Sequence, residues 1–241
     1  MNPKDMPKLP LLLIVAMLVA GAIAYPRLPA RIPMHWNAAG EIDAWADKSF
    51  GSVFFAPLMA LGLYALFMVM PYFDPRRRNI LRSKQVYFLV LELVTGLMAA
   101  VFVGTLVAAF EPSFPMDRLL LVGTGLMFVV LGNHLGRVKP NWTMGVRYSW
   151  TLSDEVVWVK TNRLGGRLFA AGGALTIAAA FLPAPANVIV MLGWTLAILP
   201  VTYVYSMLLY KRRHPEEMGP PEAGNGQAAD DGADEGEATE P

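Results

Sequence analysis

Residues 85–110 read QVYFLVLELVTGLMAAVFVGTLVAAF, an apolar run broken by one charged residue, Glu92. A helix needs roughly 20 apolar residues to cross the hydrocarbon core, so this run is long enough to span a bilayer. Five further stretches share its character: 9–25, 51–73, 117–135, 168–182 and 187–210. The first and fifth are short for a span. The fifth is rich in small residues (Ala170, Ala171, Gly172, Gly173, Ala174) and ends at Pro183. That composition suits close approach of helices. Gly96 with Gly104, and Gly123 with Gly125, point to tight packing elsewhere. Of the 241 residues, 55% are hydrophobic and only 16% charged, against about 25% charged in soluble domains. A water-soluble globule is excluded. The expected fold is all-α, a bundle of six transmembrane helices. The absence of Cys removes disulfide scaffolds, thiolate metal sites and cysteine nucleophiles.

The net charge of +1 hides an asymmetry. Beyond Pro215 stand Glu216, Glu217, Glu222, Asp230, Asp231, Asp234, Glu235, Glu237 and Glu240, with no Lys or Arg. The body is therefore basic and the tail acidic. Lys4 and Lys8 precede span one. Arg76, Arg77, Arg78, Arg82 and Lys84 lie between spans two and three. Arg137, Lys139, Arg147, Lys160, Arg163 and Arg167 lie between spans four and five, and Lys211, Arg212 and Arg213 follow span six. Six spans put all of these on one side and leave only Arg27, Arg31, Lys48 and Arg118 on the other. The positive-inside rule then places both termini in the cytoplasm. Dropping one span would put a basic cluster outside. A competing reading takes Lys8, the apolar run and Ala22-Ile23-Ala24 as a cleaved signal peptide, leaving five spans. The expected division is a two-helix unit over 1–84, a four-helix unit over 85–213, and a disordered acidic tail over 214–241, which lacks apolar surface to bury.

Two loops carry more than a connection needs. The first external loop, 26–50, is stiffened by Pro26, Pro29 and Pro33, and Asn37-Ala38-Ala39-Gly40 is a turn signal. It is expected to be ordered, with Trp36 and Trp45 at headgroup level. It is either a cap on the membrane surface or a recognition surface for an external ligand. His35, Glu41, Asp43 and Asp47 have metal-ligand chemistry but no diagnostic spacing, so no metal or other cofactor is expected. The second cytoplasmic loop, 136–167, holds Trp142, Trp150 and Trp158. Thr151 reads as a helix N-cap with Asp154 and Glu155 in the first turn. An interfacial helix is expected over 152–164, ended by Gly165-Gly166, with Leu152, Val156 and Val159 on one face. It is either an anchor or a docking surface for a cytoplasmic partner.

Asn133, Lys139-Pro140-Asn141, Gly145-Val146-Arg147, Trp150-Thr151-Leu152, Glu155, Trp158, Thr161, Arg163 and Gly165 resemble the signature of the SdpI family of bacterial membrane proteins. Leu28-Pro29, Ile32 to Asn37, Gly40 and Asp43 are similar to the small uncharacterised domain that often forms the N-terminal part of such proteins. Together the two likenesses cover roughly 9–210. There are departures: Tyr148-Ser149 stands where the family usually has Thr-Pro, and Asn162 where it usually has His. The resemblance implies a protein of the bacterial inner membrane with two linked activities. One is immunity to a secreted membrane-active toxin. The other is relay of that toxin's presence by sequestering a cytoplasmic transcriptional repressor. On the recognition reading of the external loop, His35, Trp36, Asn37, Gly40 and Asp43 are the candidates to meet an external ligand. Asn133, Asn141, Gly145, Arg147, Trp150, Thr151, Glu155, Trp158, Lys160 and Arg163 would serve the signature loop and partner docking.

Glu92 is the one acid well inside a span, about 10 Å deep at 1.5 Å per residue. An intramembrane carboxylate is either a functional group or a hydrogen-bonded tie between helices. Asn133 and His134, near the inner end of span four, are its candidate partners. A small transporter or peptide exporter is the alternative function, but Glu92, Thr176, Thr195 and Pro200 are a thin set for a midplane site. No nucleophile elbow, phosphate loop or His/Asp/Glu cluster points to an enzyme. Topology accounts for the basic residues, so direct nucleic-acid binding is not expected.

Overall fold

The computed structural model describes residues 6–218. The chain is mostly helical. In order come α1 (Lys8–Ala24), β1 (Arg31–Trp36), β2 (Ile42–Asp47), α2 (Phe50–Val69), α3 (Arg77–Arg82), α4 (Lys84–Phe110), α5 (Met116–Leu135), α6 (Ser149–Ser153), α7 (Glu155–Ala179), α8 (Ala186–Arg213) and α9 (Pro215–Met218). Five helical stretches are long and apolar enough to cross a membrane: Lys8–Arg27, Phe50–Tyr72, Lys84–Phe110, Met116–Leu135 and Ala186–Arg213. Their outer faces leave Leu12, Val15, Ile23, Phe55, Leu58, Leu196 and Leu199 exposed. Apolar side chains on the outside of a bundle fit lipid as the surrounding solvent.

α7 is the sixth long helix, and it corrects the expected interfacial helix. Instead of stopping at Gly165-Gly166, it runs unbroken from Glu155 to Ala179. Both glycines are buried contacts. A Cβ at Gly166 would lie 2.5 Å from the Gly132 carbonyl oxygen, and one at Gly165 would lie 2.9 Å from Val146 Cγ2. A glycine in a helix costs about 1 kcal/mol relative to alanine, and close packing on α5 offsets it. The start differs too. Thr151 lies within α6, and Asp154 caps α7 by accepting from Val156 N (2.7 Å) and Val157 N (3.1 Å). The buried face holds Val157, Trp158, Thr161, Asn162 and Gly165, while Val156 is exposed and Leu152 and Val159 are half-buried.

The expectation of an all-α chain is also corrected. β1 and β2 form an antiparallel hairpin in which Ile32 faces Ala46 and Pro33 faces Trp45. Pro33 is tolerated because each strand of a two-stranded ribbon keeps a free edge. Asn37 Oδ1 accepts from Ala39 N (2.9 Å) and Glu41 N (3.0 Å), and Gly40 takes a φ of 80° to close the turn. Beneath the hairpin, Ile32 packs with Leu28, Val53, Phe54 and Ala109. The turn rests against Asp117 at the start of α5. A second apolar cluster, Ile14, Ala60, Tyr64 and Leu91, joins α1, α2 and α4. The tail from residue 219 onward lies outside the described residues. Among the described residues a short helix, α9, continues past the expected boundary at 214.

Candidate functional site

Two assemblies sit at opposite ends of the bundle. The hairpin end contains the expected ligand residues. His35 Nδ1 and Asp43 Oδ1 are 2.6 Å apart across the strands, both exposed. Asn37 is spent on the turn, its Nδ2 also donating to Glu41 Oε2 at 3.0 Å. Trp36 instead lines a cavity of about 350 Å³ under the hairpin, with Met34, Phe55, Met98 and Phe102 among its walls. The Trp36 Nε1 atom is buried and has no hydrogen-bond partner among the described residues. This end therefore offers an exposed His–Asp pair above an apolar cavity that holds one unused donor.

The opposite end is a folded plate made by residues 136–154. Asp74, buried in the connection between α2 and α3, organises it. Its Oδ1 accepts from Arg76 N (2.7 Å), and its Oδ2 accepts from Trp142 N (3.0 Å) and Thr143 Oγ1 (2.7 Å). Three more bonds tie the plate to the α2–α4 connection. Asn79 Nδ2 donates to the Pro140 carbonyl (2.7 Å), Lys139 N to Ser83 Oγ (2.9 Å), and Arg76 Nη2 to the Leu152 carbonyl (2.9 Å).

Most signature residues build this plate. Asn141 Oδ1 accepts from Thr143 N and Met144 N, both at 2.8 Å. Trp158 Nε1 donates to the Val138 carbonyl at 2.7 Å. Asn162 Oδ1 accepts from Val146 N at 2.8 Å, so the residue that departs from the family pattern holds the loop to α7. Gly145 has a φ of 107°, and a Cβ there would lie 2.8 Å from Asn162 Oδ1, so no other residue fits without strain. Thr151 Oγ1 accepts from Tyr148 N at 2.8 Å, and Trp150 Nε1 donates to Ser206 Oγ on α8 at 2.6 Å. Asn141, Thr151 and Trp158 are fully buried, and cannot touch a partner. Asn133, Arg147, Glu155, Lys160 and Arg163 are exposed. Arg147 Nη1 donates to the Trp142 carbonyl.

Sequence reading missed Asp74, Asn79 and Ser83, and took Asp154 for a first-turn acid rather than the cap of α7. The one signal for Asp74 was an Asp-Pro turn beside an arginine cluster. The expected partners of Glu92 are corrected. Asn133 Nδ2 donates to the Val129 carbonyl (2.9 Å) and His134 Nδ1 to the Val130 carbonyl (2.8 Å), one turn back in their own helix. Helix rise accounts for this, since Glu92 lies about 10 Å deeper than His134 when α4 and α5 run antiparallel. Glu92 is half-buried and has no hydrogen bond or ion pair among the described residues.

Asp154 locks the end of α8 to the plate, accepting from Arg213 Nε at 2.7 Å and His214 Nε2 at 2.9 Å. Burial alone would raise its pKa, but Arg213, His214 and the amides of Val157 and Val156 outweigh it and hold the carboxyl well below its usual range. A depressed carboxylate contributes stability that is present above the unfolded value of about 3.9 and lost as pH falls below it. Asp154→Asn keeps a capping oxygen but removes the charge. It is expected to lower stability at pH 7 by about 1–2 kcal/mol and to flatten the acid limb of stability, read by thermal unfolding between pH 3 and 7. An unchanged acid limb would remove Asp154 as its source.

A chain with several apolar helices, two ordered ends and an inside-out surface is a multi-pass membrane protein. Comparison specifies the kind. Residues 137–207 match the SdpI/YfhL protein family, and residues 12–61 match a domain of unknown function, DUF1648. The chain is 24% identical over 190 residues to the Immunity protein SdpI of Bacillus subtilis (strain 168), covering 79% of this chain and 88% of that one. No solved structure matches it. Both parts of the resemblance read from the loops are thus borne out, and the chain is a multi-pass bacterial membrane protein similar to the SdpI immunity protein.

Proposed function

We propose that this chain is an inner-membrane immunity protein that protects the cell against a secreted membrane-active toxin. We further infer that it relays the toxin's presence by sequestering a cytoplasmic autorepressor. The observation that carries the reading is its likeness to the Bacillus subtilis immunity protein over most of both chains. The function is protective binding rather than catalysis. The reading has α7 as a sixth span, its 25 residues rising about 37 Å at 1.5 Å per residue with Lys160 and Arg163 at its inner end, and both termini cytoplasmic. Support comes from the gathering of the basic connections at one end, where Asn79, Ser83 and Arg76 bond to 139–152. The two-helix unit, 1–84, presents the hairpin outward. The four-helix unit, 85–213, carries the plate inward.

In this scheme an apolar toxin segment enters the cavity beneath the hairpin, where Trp36 Nε1 supplies a donor and His35 with Asp43 meets polar groups above. Lys160 and Arg163 are exposed on the inner end of α7 and offer cations to the repressor. Relay requires two conformations with different affinities at each end. The test is paired: survival of a sensitive bacterium expressing the chain under challenge by membrane-active peptides, and membrane recruitment of a labelled repressor. His35→Ala and Trp36→Ala are expected to lose both activities. Lys160→Ala and Arg163→Ala are expected to lose recruitment and keep protection. Absence of protection by the unaltered chain against every toxin tried would overturn the immunity reading.

A further inference from the structure

Beside the plate, α3 with the residues before it, Lys139-Pro140, the end of α6 and the start of α7 enclose an open cleft of about 830 Å³. Its charged walls are Arg76, Arg77, Arg78, Arg82 and Lys139 against a single acid, Glu155. Neighbouring acids are already engaged. Asp74 accepts from Arg76 N, Trp142 N and Thr143 Oγ1, and Asp154 from Arg213 and His214. Glu155 meets Lys139 only at 3.8 Å, with both side chains largely exposed. Arg78 and Arg82 are exposed. Arg77 stacks on Tyr72 with its guanidinium carbon 4.2 Å from the ring centre, and its Nε is buried with no partner among the described residues. The cleft is a concentration of positive charge larger than its own acids can offset.

The chain supplies the opposite charge nearby. Residues 219–241 carry Glu222, Asp230, Asp231, Asp234, Glu235, Glu237 and Glu240 and no Lys or Arg. The described chain ends close to the cleft. His214 is bonded to Asp154, whose neighbours Ser153 and Glu155 both line the cleft. Met218 is four residues further on, at most about 15 Å of chain at 3.3–3.6 Å per residue. Residues 219–241 can reach at most about 80 Å at 3.3–3.6 Å per residue, more than enough to cross the cleft. Tethering so close raises its effective concentration into the millimolar range. Charge complementarity over several cations, rather than one surface pair, gives the contact its strength.

We propose that the acidic segment 219–241 occupies the basic cleft formed by Arg76, Arg77, Arg78, Arg82 and Lys139 and masks it from other anionic groups. The segment acts as a built-in competitor, so any acidic partner or lipid headgroup must displace it. This does not depend on the immunity reading, since it needs only the cleft, the tail and their proximity.

The experiment uses a fluorescent synthetic peptide of residues 219–241, titrated into two purified proteins in zwitterionic nanodiscs. One is the full chain and the other ends at Met218. The shortened protein is expected to bind the peptide, with affinity falling as salt rises. The full chain should bind it at least about tenfold more weakly, because its own segment competes. Arg78→Gln with Arg82→Gln changes two exposed side chains and should weaken binding to the shortened protein without altering its thermal unfolding. In the full chain, which has no native Cys, cysteines introduced by Leu81→Cys and Ala233→Cys should cross-link in the low-salt state. Equal binding by both proteins, no binding by the shortened one, or no effect of the Arg pair would overturn the proposal. So would loss of the full chain's cross-link on adding anionic phospholipid to the nanodiscs, which would assign the cleft to headgroups in place of the tethered segment.

Discussion

Gly132→Leu is expected to disrupt the bundle more than any other single substitution on α5. At Gly132 a Cβ would sit 2.5 Å from the Gly166 carbonyl oxygen and 2.5 Å from Ala170 N. One heptad earlier on α5, a Cβ at Gly125 would sit 2.7 Å from the Gly173 carbonyl oxygen. The two pairs, Gly132 with Gly166 and Gly125 with Gly173, bring the antiparallel backbones of α5 and α7 into direct contact. Small residues at such seams allow dispersion and weak backbone contacts to hold helices together where lipid removes the hydrophobic drive. A leucine meets backbone there, which cannot rotate away as a side chain could. Overpacking commonly costs 1–3 kcal/mol, and a backbone clash belongs at about 3 kcal/mol or beyond. Gly96→Leu is the control, because a Cβ at Gly96 meets nothing within 4 Å, and it should stay within about 0.5 kcal/mol of wild type. Thermal unfolding of the purified protein, followed by Trp fluorescence with gel filtration, separates the two. Equal melting temperatures would show that α5 and α7 can part without cost.

These glycines mark how much was legible beforehand. Hydropathy located the five apolar spans because run length is a property of composition alone. It could not sort the glycines. Gly125 and Gly104 are contacts as expected, Gly123 meets Leu97, and Gly96 faces open space, a distinction that depends on which helix lies opposite. The stop assigned to Gly165-Gly166 failed for the same reason. Paired glycines end a helix when nothing fills the space beside them, and extend a contact surface when another backbone does. The hairpin was legible as a turn at Asn37 to Gly40 but not as strands, because Pro33 masks the alternation. The signature loop was recognised by residue order, yet order could not tell a buried strut such as Asn141 from an exposed cation such as Lys160. The Asp-Pro turn could mark Asp74 as a bend but not as a clamp, since its loop partners lie 68 and 69 positions away.

Asp74→Ala is expected to release the inner plate while leaving the spans inserted. The carboxylate is buried and accepts three hydrogen bonds, two of them from the loop at Trp142 N and Thr143 Oγ1. Hydrogen bonds to a charged group contribute about 1.5–3 kcal/mol each. They share one acceptor and do not add in full, so a total of about 3–5 kcal/mol is expected for removal of a buried, fully bonded charge. The apolar helices do not depend on Asp74, so the loss falls on the loop. Arg147 lies at the far end of that loop, is exposed, and is held through the Trp142 carbonyl. Opening should therefore speed tryptic cleavage after Arg147 by about 100-fold, which corresponds to about 2.8 kcal/mol of local opening at 1.4 kcal/mol per tenfold step. Asp74→Asn retains one acceptor oxygen and should fall between alanine and wild type. Asn79→Ala removes the neighbouring bond to the Pro140 carbonyl, and combined with Asp74→Ala it should add little, because a loop already open has no second tie to lose. Wild-type cleavage in Asp74→Ala would show that Trp158, Asn162 and Thr151 hold the plate without it. Full additivity with Asn79→Ala would show two independent anchors instead of one clamp.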